Sequence, residues 1–240
     1  MKPNTIVQVA TLNSLVSGNF GKMALFSELP IECNFGLGTF ENLDGEMIII
    51  DGIIYQLKVD GKAYQRDRSA GTPFATISNF QPTAEFGLPK QVDMGQFTSF
   101  IDTKIPDRNL PLLVRLDGEF ELIHFRSVLA QKEPYPTLAE AAKNQTEFKR
   151  EKVKGTVLGF RFPKYFESFN LPGYHLHFID EGKQFGGHVL GFNATKGTVK
   201  IAESQSFYLN LPGHSESFRK TDLTIDRSKE TEKIEGGSHS

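Results

Sequence analysis

The feature that most restricts the fold of this chain is a series of short β-branched runs cut by Asp-Gly pairs. Glu46-Met-Ile-Ile-Ile50 and Ile53-Ile-Tyr-Gln-Leu57 are separated by Asp51-Gly52 and preceded by Asp44-Gly45. Asp-Gly supplies the positive φ of a tight reversal, and Ile and Tyr suit a pleated, half-buried backbone, so the stretch reads as a β-meander. Asp60-Gly61 marks another turn. Further strand candidates lie at 74–78, 112–116 and 120–128, the last two joined at Asp117-Gly118. Helical signals are few. Residues 11–20 carry Leu12, Leu15 and Val16 at helical spacing, with Asn13 or Ser14 as cap, and Thr137-Leu-Ala-Glu140 has the pattern of a capping box.

Residues 149–154 form a charged crossover that suggests a boundary. Beyond it, strand-like runs recur at 155–162, 174–179, 188–192, 197–203 and 207–211, and a charge-rich stretch at 221–235 reads as partly helical. The expected class is therefore α+β and β-rich, with two mixed β-sheets or barrel-like subdomains and few helices. Residues 1–149 would form an N-terminal β-rich subdomain and residues 150–240 a C-terminal one.

Within that second block stand three of the six histidines, inside fourteen residues: His175, His177 and His188. Positions i and i+2 of a strand share a face, so His175 and His177 can aim at one point. A reversal at Asp180-Glu181-Gly182-Lys183, followed by Gly186-Gly187, can bring His188 back beside them. Three neutral imidazoles converging in this way suit zinc or another borderline divalent metal with one position open for chemistry. A single histidine on a strand face is more simply a satisfied polar residue; it is the set of three that points to a metal.

Composition narrows the alternatives. A formal charge of −2 offers no electrostatic reason to expect nucleic acid. The one cysteine, Cys33, excludes an internal disulfide framework and reads as a buried thiol. No run approaches the length of a membrane span or a leader, so the chain reads as soluble and cytoplasmic. Glu46 opens an apolar strand, and Arg126, in His124-Phe125-Arg126, alternates with neighbours that look buried. An arginine so placed needs an acceptor, from the protein or from an anionic ligand. On the residues alone, both read more simply as structural. His124 reads as a structural histidine, with support of Arg126 as the alternative.

Two family resemblances compete. His175-Leu-His177 with Glu181 resembles the first cupin motif, which would imply a metal-dependent dioxygenase, an isomerase or a binding barrel. The proline, glycine and histidine of Leu211-Pro-Gly-His214 fall at the wrong spacing for the second motif. A second resemblance covers nearly the whole chain. Phe35-Gly-Leu-Gly-Thr-Phe40, Asn42-Leu-Asp-Gly-Glu46, Arg126-Ser-Val128, Pro134-Tyr-Pro136, Pro172-Gly-Tyr-His-Leu-His-Phe178 and Gly186-Gly-His-Val-Leu190 occur in order. Together they resemble the bacterial α-acetolactate decarboxylases.

That resemblance implies conversion of 2-acetolactate to acetoin and carbon dioxide, with Zn2+ held by His175, His177 and His188. It also implies active-site roles for Thr39, Glu46 and Arg126, and for a glutamate near the C-terminus. Glu232 and Glu235 both match the last of these, with Glu235 preferred. A homodimer is implied as well. Neither thiamine nor pyridoxal is needed, because the metal and the substrate's own ketone form the electron sink.

Overall fold

In the computed structural model, which describes residues 1–29, 32–227 and 230, two large β-sheets pack face to face. The first has seven strands in the order Phe207–Asn210, Ile6–Val9, Ala75–Ser78, Phe35–Thr39, Glu46–Ile50, Ile53–Leu57 and Ala63–Arg66. Only Ile6–Val9 with Phe207–Asn210 is parallel; the other pairings are antiparallel, so the sheet is mixed. The expected meander is present: Glu46–Ile50 and Ile53–Leu57 pair in register around Asp51 and Gly52, with φ values of 52° and 82°.

The second sheet closes on itself. Leu112–Ser127 pairs with both Thr146–Phe162 and Gly186–Glu203, Thr146–Phe162 pairs with Gly173–Asp180, and Gly173–Asp180 returns to Gly186–Glu203. Short strands Ala84–Gly87 and Val92–Asp93 add to the last long strand. The β-rich α+β class with a barrel-like sheet and few helices is thus what the chain adopts.

Aromatic packing fills both sides of the closed sheet. Phe120, Phe125, Phe178 and Phe192 form one cluster with Phe97 and Ile101 of the helix Met94–Lys104. On the other side, Phe160, Leu158 and Ile179 meet Leu37, Ile48 and Tyr55 of the seven-stranded sheet. Each such side chain removed from water contributes roughly 2 kcal/mol, so the two sheets are firmly joined and polar groups trapped between them are held in place.

Several local expectations change. Asp117-Gly118 is no turn but the middle of the continuous strand Leu112–Ser127. Gly118 pairs with Gly155 on one side and Gly197 on the other. A Cβ at Gly118 would come within 2.6 Å of the Lys196 carbonyl oxygen, so glycine is needed here for close strand approach, not for reversal. The two runs at 188–192 and 197–203 are one strand for the same reason. Residues 149 and 150 lie inside the strand Thr146–Phe162, where the charges sit on exposed backbone that continues the ladder. The first helix is short, Leu12–Val16, and Thr11 caps it, accepting from Ser14 N. Thr137 and Glu140 form the expected capping box. Of the charge-rich stretch 221–235, residues 221–227 are not helical, Glu230 is, and the other positions lie outside the described residues; a helix at Glu216–Lys220 precedes the stretch. No helix among the described residues is long and apolar enough to cross a membrane.

Candidate metal centre

Alternation along Gly173–Asp180 sends Leu176 and Phe178 into the closed sheet's cluster and turns His175 and His177 toward the seven-stranded sheet. His188 is the register partner of His177, and Arg126 is the register partner of His188. One row across three strands therefore carries two imidazoles and a guanidinium. Gly186 and Gly187 make the row attainable: a Cβ on either would run into the carbonyl of Phe178 or of Arg126. The glycine pair beside His188 is thus a requirement of close backbone approach.

The three histidines are 0–6% exposed, and their nearest ligand atoms all lie within 4.8 Å of one another. His188 Nδ1 and His175 Nε2 stand 3.2 Å apart. A metal at about 2.1 Å from each nitrogen in tetrahedral geometry would separate them by about 3.4 Å, so the pair is spaced as two corners of such a site. His177 shows the same preparation. Its Nδ1 lies 2.9 Å from the Met47 carbonyl oxygen, which can only accept, so Nδ1 carries the hydrogen and Nε2 presents its lone pair. Nε2 then faces Glu46 Oε2 at 3.7 Å. Two acceptors directed at each other suit a cation between them. Burial, aided by the positive charge of Arg126, pushes His175 down to about 3, so its ring is neutral and able to donate a lone pair at physiological pH. The donor set fits a metal ion.

Thr39 and Glu46 come from the other sheet, where they are register partners on adjacent strands. The hydroxyl of Thr39 donates to the Gly45 carbonyl at 2.6 Å, which leaves its oxygen lone pairs for the pocket. Thr39, Glu46, Arg126 and His175 line one cavity. Its remaining walls are apolar, from Leu12 and Leu15 of the first helix, Leu138 of the capping-box helix, and Leu43, Phe74 and Val128. The structure thus brings together every sequence-predicted site residue that it describes. Glu232 and Glu235 lie outside the described residues. His124 stands apart from the imidazole cluster, 2.9 Å from Glu147. Glu181 belongs to the turn after Gly173–Asp180, where Asp180 accepts three backbone N–H groups.

Sequence reasoning missed the apolar walls and the Met47 carbonyl. Nothing local could have revealed the carbonyl, since it acts through its backbone across a sheet-to-sheet contact. The leucines of the first helix carried a core signal, and they serve as core and pocket wall together.

A two-sheet β protein with a buried three-histidine centre beside a carboxylate and an arginine defines a class of metal-type site. Comparison with known proteins makes it specific. The sequence profile described as Alpha-acetolactate decarboxylase matches residues 6–225. An alpha-acetolactate decarboxylase from Methanosarcina mazei is 38% identical over 232 residues, covering 97% of this chain and 80% of that protein. One from Bacillus subtilis is 36% identical, covering 96% and 91%. The crystal structure of the Bacillus subtilis protein superposes with a TM-score of 0.93, covering 97% of this chain and 99% of that one. A Staphylococcus aureus protein described as similar to alpha-acetolactate decarboxylase superposes at 0.91, with 31% identity, 98% of this chain and 100% of that one. The chain belongs to the α-acetolactate decarboxylase family of carboxy-lyases. Membership decides between the two resemblances and sets the cupin reading aside.

Proposed function

We propose that this chain carries out the zinc-dependent decarboxylation of (S)-2-acetolactate to (R)-acetoin and carbon dioxide. The observation that supports the reading most directly is the shared pocket of His175, Glu46, Thr39 and Arg126 beside the other two imidazoles. His175, His177 and His188 would hold the metal. When bound, zinc supplies Lewis acidity toward the hydroxyl and ketone oxygens of a 2-hydroxy-3-oxo acid.

The protein's own groups account for the rest. Arg126 receives the substrate carboxylate, a task suited to a planar fork of donors held in a buried site. As carbon dioxide departs, the electron pair of the broken bond remains on C2 and delocalises into the adjacent ketone. A proton delivered to C2 then completes acetoin. Glu46, at the pocket edge beside His177, is one candidate carboxyl for that delivery, and Glu235 is the other. Thr39 presents lone pairs and so orients the substrate hydroxyl. The apolar walls receive the two methyl groups and keep water from the reacting carbon. The same reading includes a homodimer, which the mass in solution tests.

The deciding experiment measures acetoin formed from racemic 2-acetolactate together with metal content on the same purified sample. Acetoin production lost on chelation and restored by zinc is the expected result. Metal at roughly one per chain with no acetoin above the spontaneous rate would overturn the reading.

A further inference from the structure

A row of hydrogen bonds runs from the buried site to the protein surface through residues not yet given a part. Arg126 Nη1 donates to Gln145 Oε1 at 2.8 Å. Gln145 Nε2 donates to Glu147 Oε1 at 3.0 Å. The other carboxylate oxygen of Glu147 lies 2.9 Å from His124 Nε2. The row is built by the ladder of Leu112–Ser127 with Thr146–Phe162, where Arg126 pairs with Glu147 and His124 with Lys149, and Gln145 directly precedes the second strand.

This row has one self-consistent polarity. An ionised carboxylate only accepts, so Glu147 draws the amide NH2 of Gln145 on one side and an N–H of His124 on the other. With its NH2 committed there, Gln145 presents its oxygen to Arg126. The flipped amide would set NH2 against guanidinium and carbonyl against carboxylate, two repulsive contacts at once. Glu147 therefore decides which atom of Gln145 meets the arginine.

We propose that Gln145 is a positioning residue for the reaction: it holds the Arg126 guanidinium facing the pocket without adding negative charge beside the group that receives the substrate carboxylate. The inference rests on the role proposed above for Arg126. A carboxylate at position 145 would bind the same N–H more strongly, yet its charge would oppose an incoming anion at a few ångströms. An amide orients the cation and adds no such charge of its own.

Three variants of the zinc-loaded protein separate the two halves of the proposal. Gln145→Glu should raise KM for acetolactate about tenfold or more, with a smaller change in kcat. Gln145→Met, of similar length but with no comparable acceptor, should lower kcat about tenfold. Glu147→Gln, which releases the amide to turn over, should cost only a few-fold, roughly within the range of one neutral hydrogen bond. Binding of 2-hydroxy-2-methylpropanoate is measured alongside by calorimetry. This probe keeps the hydroxyl and carboxylate but lacks the ketone, so it cannot react; Gln145→Glu should weaken it in step with KM. Thermal midpoint and metal content should stay close to wild type.

Wild-type kinetics and wild-type probe affinity in both Gln145 variants would overturn the inference. So would losses that track a lowered midpoint or a lowered metal content, since those assign Gln145 to the fold alone. A wild type that binds the probe but makes no acetoin overturns the proposed function, while the probe series still decides the part played by Gln145. A wild type that neither binds nor reacts overturns both.

Discussion

The strand Leu112–Ser127 carries an arginine toward each end, and the two are used differently. At one end, Arg115 reaches Asp51 at 2.6 Å and Asp117 at 2.9 Å, while Asp117 also meets Lys200 at 3.3 Å and the Thr156 hydroxyl at 2.8 Å. Each charge there is answered by an opposite one, and the result ties the Asp51 turn of the seven-stranded sheet to the closed sheet. At the other end, Arg126 gives an N–H to a neutral amide, lines a cavity, and adds to the burial that keeps His175 uncharged. The same residue type on the same strand thus makes a clamp in one place and lines a cavity in the other, where the proposed reaction gives it an anion to receive. Burial and neighbours both differ: Asp51 and Asp117 surround a partly exposed Arg115, whereas a buried Arg126 shares its cavity with His175 and Glu46 and meets the Gln145 amide.

Substitutions at the two ends should therefore produce opposite signatures. The largest effect is expected from His188→Ala, which should abolish stoichiometric metal binding and reduce acetoin formation by at least about 10²-fold; elemental analysis and a turnover assay check both. Retention of full metal content would break the assignment of the centre. Arg126→Lys keeps the charge but loses the planar fork, and kcat/KM should fall about 10- to 100-fold with metal content unchanged. Arg115→Met should do the reverse, costing about 2 kcal/mol in urea unfolding while the kcat of the folded protein stays at the wild-type value. A loss of turnover as large as that of Arg126→Lys would erase the contrast.

The smallest effect is one of pH. Burial works to raise the Asp117 carboxyl, but the Thr156 hydroxyl, Arg115 and Lys200 together outweigh it and hold the group below its ordinary value. A carboxyl depressed in the folded state stabilises the protein above its unfolded pKa, and that contribution is lost as pH falls through the folded value. Asp117→Asn should therefore lower the thermal midpoint at neutral pH, and its gap from wild type should close below about pH 4. A gap that widens on acidification would contradict the clamp.

Much of the site was legible before the structure, for a simple reason. His175 and His177 sit two apart on a strand, and a period of two is a local property. The reversal at residues 180–183 with the following Gly186-Gly187 was legible as a way to return His188, but the close approach of those glycines to the Phe178 and Arg126 carbonyls was not. The meander around Asp51-Gly52 follows from turn chemistry alone. Asp117-Gly118 looks the same in sequence and is not a turn, because pairing with Gly155 and Gly197 on both sides outcompetes the reversal. Residues 149–154 looked like a solvated crossover because exposed strand positions bear charges as readily as loops do. Gln145 carried no signal, since its meaning depends on the geometry of Arg126 and Glu147.

What the sequence by itself determined is the set of parts: three imidazoles on β-type backbone, a carboxylate and a threonine at a turn-bounded meander, and an arginine within a strand. Their order along the chain also sufficed to suggest the family. Only the tertiary structure decided that Glu46 and Thr39 of one sheet face His175 and His177 of the other, that the Met47 carbonyl sets the His177 tautomer, and that Arg126 rather than Arg115 looks into the cavity. Those facts depend on contacts between residues distant in the chain, 130 positions apart for His177 and Met47. Local propensity acts along a few residues of backbone, whereas a site between two sheets exists only once apolar burial has pressed the sheets together.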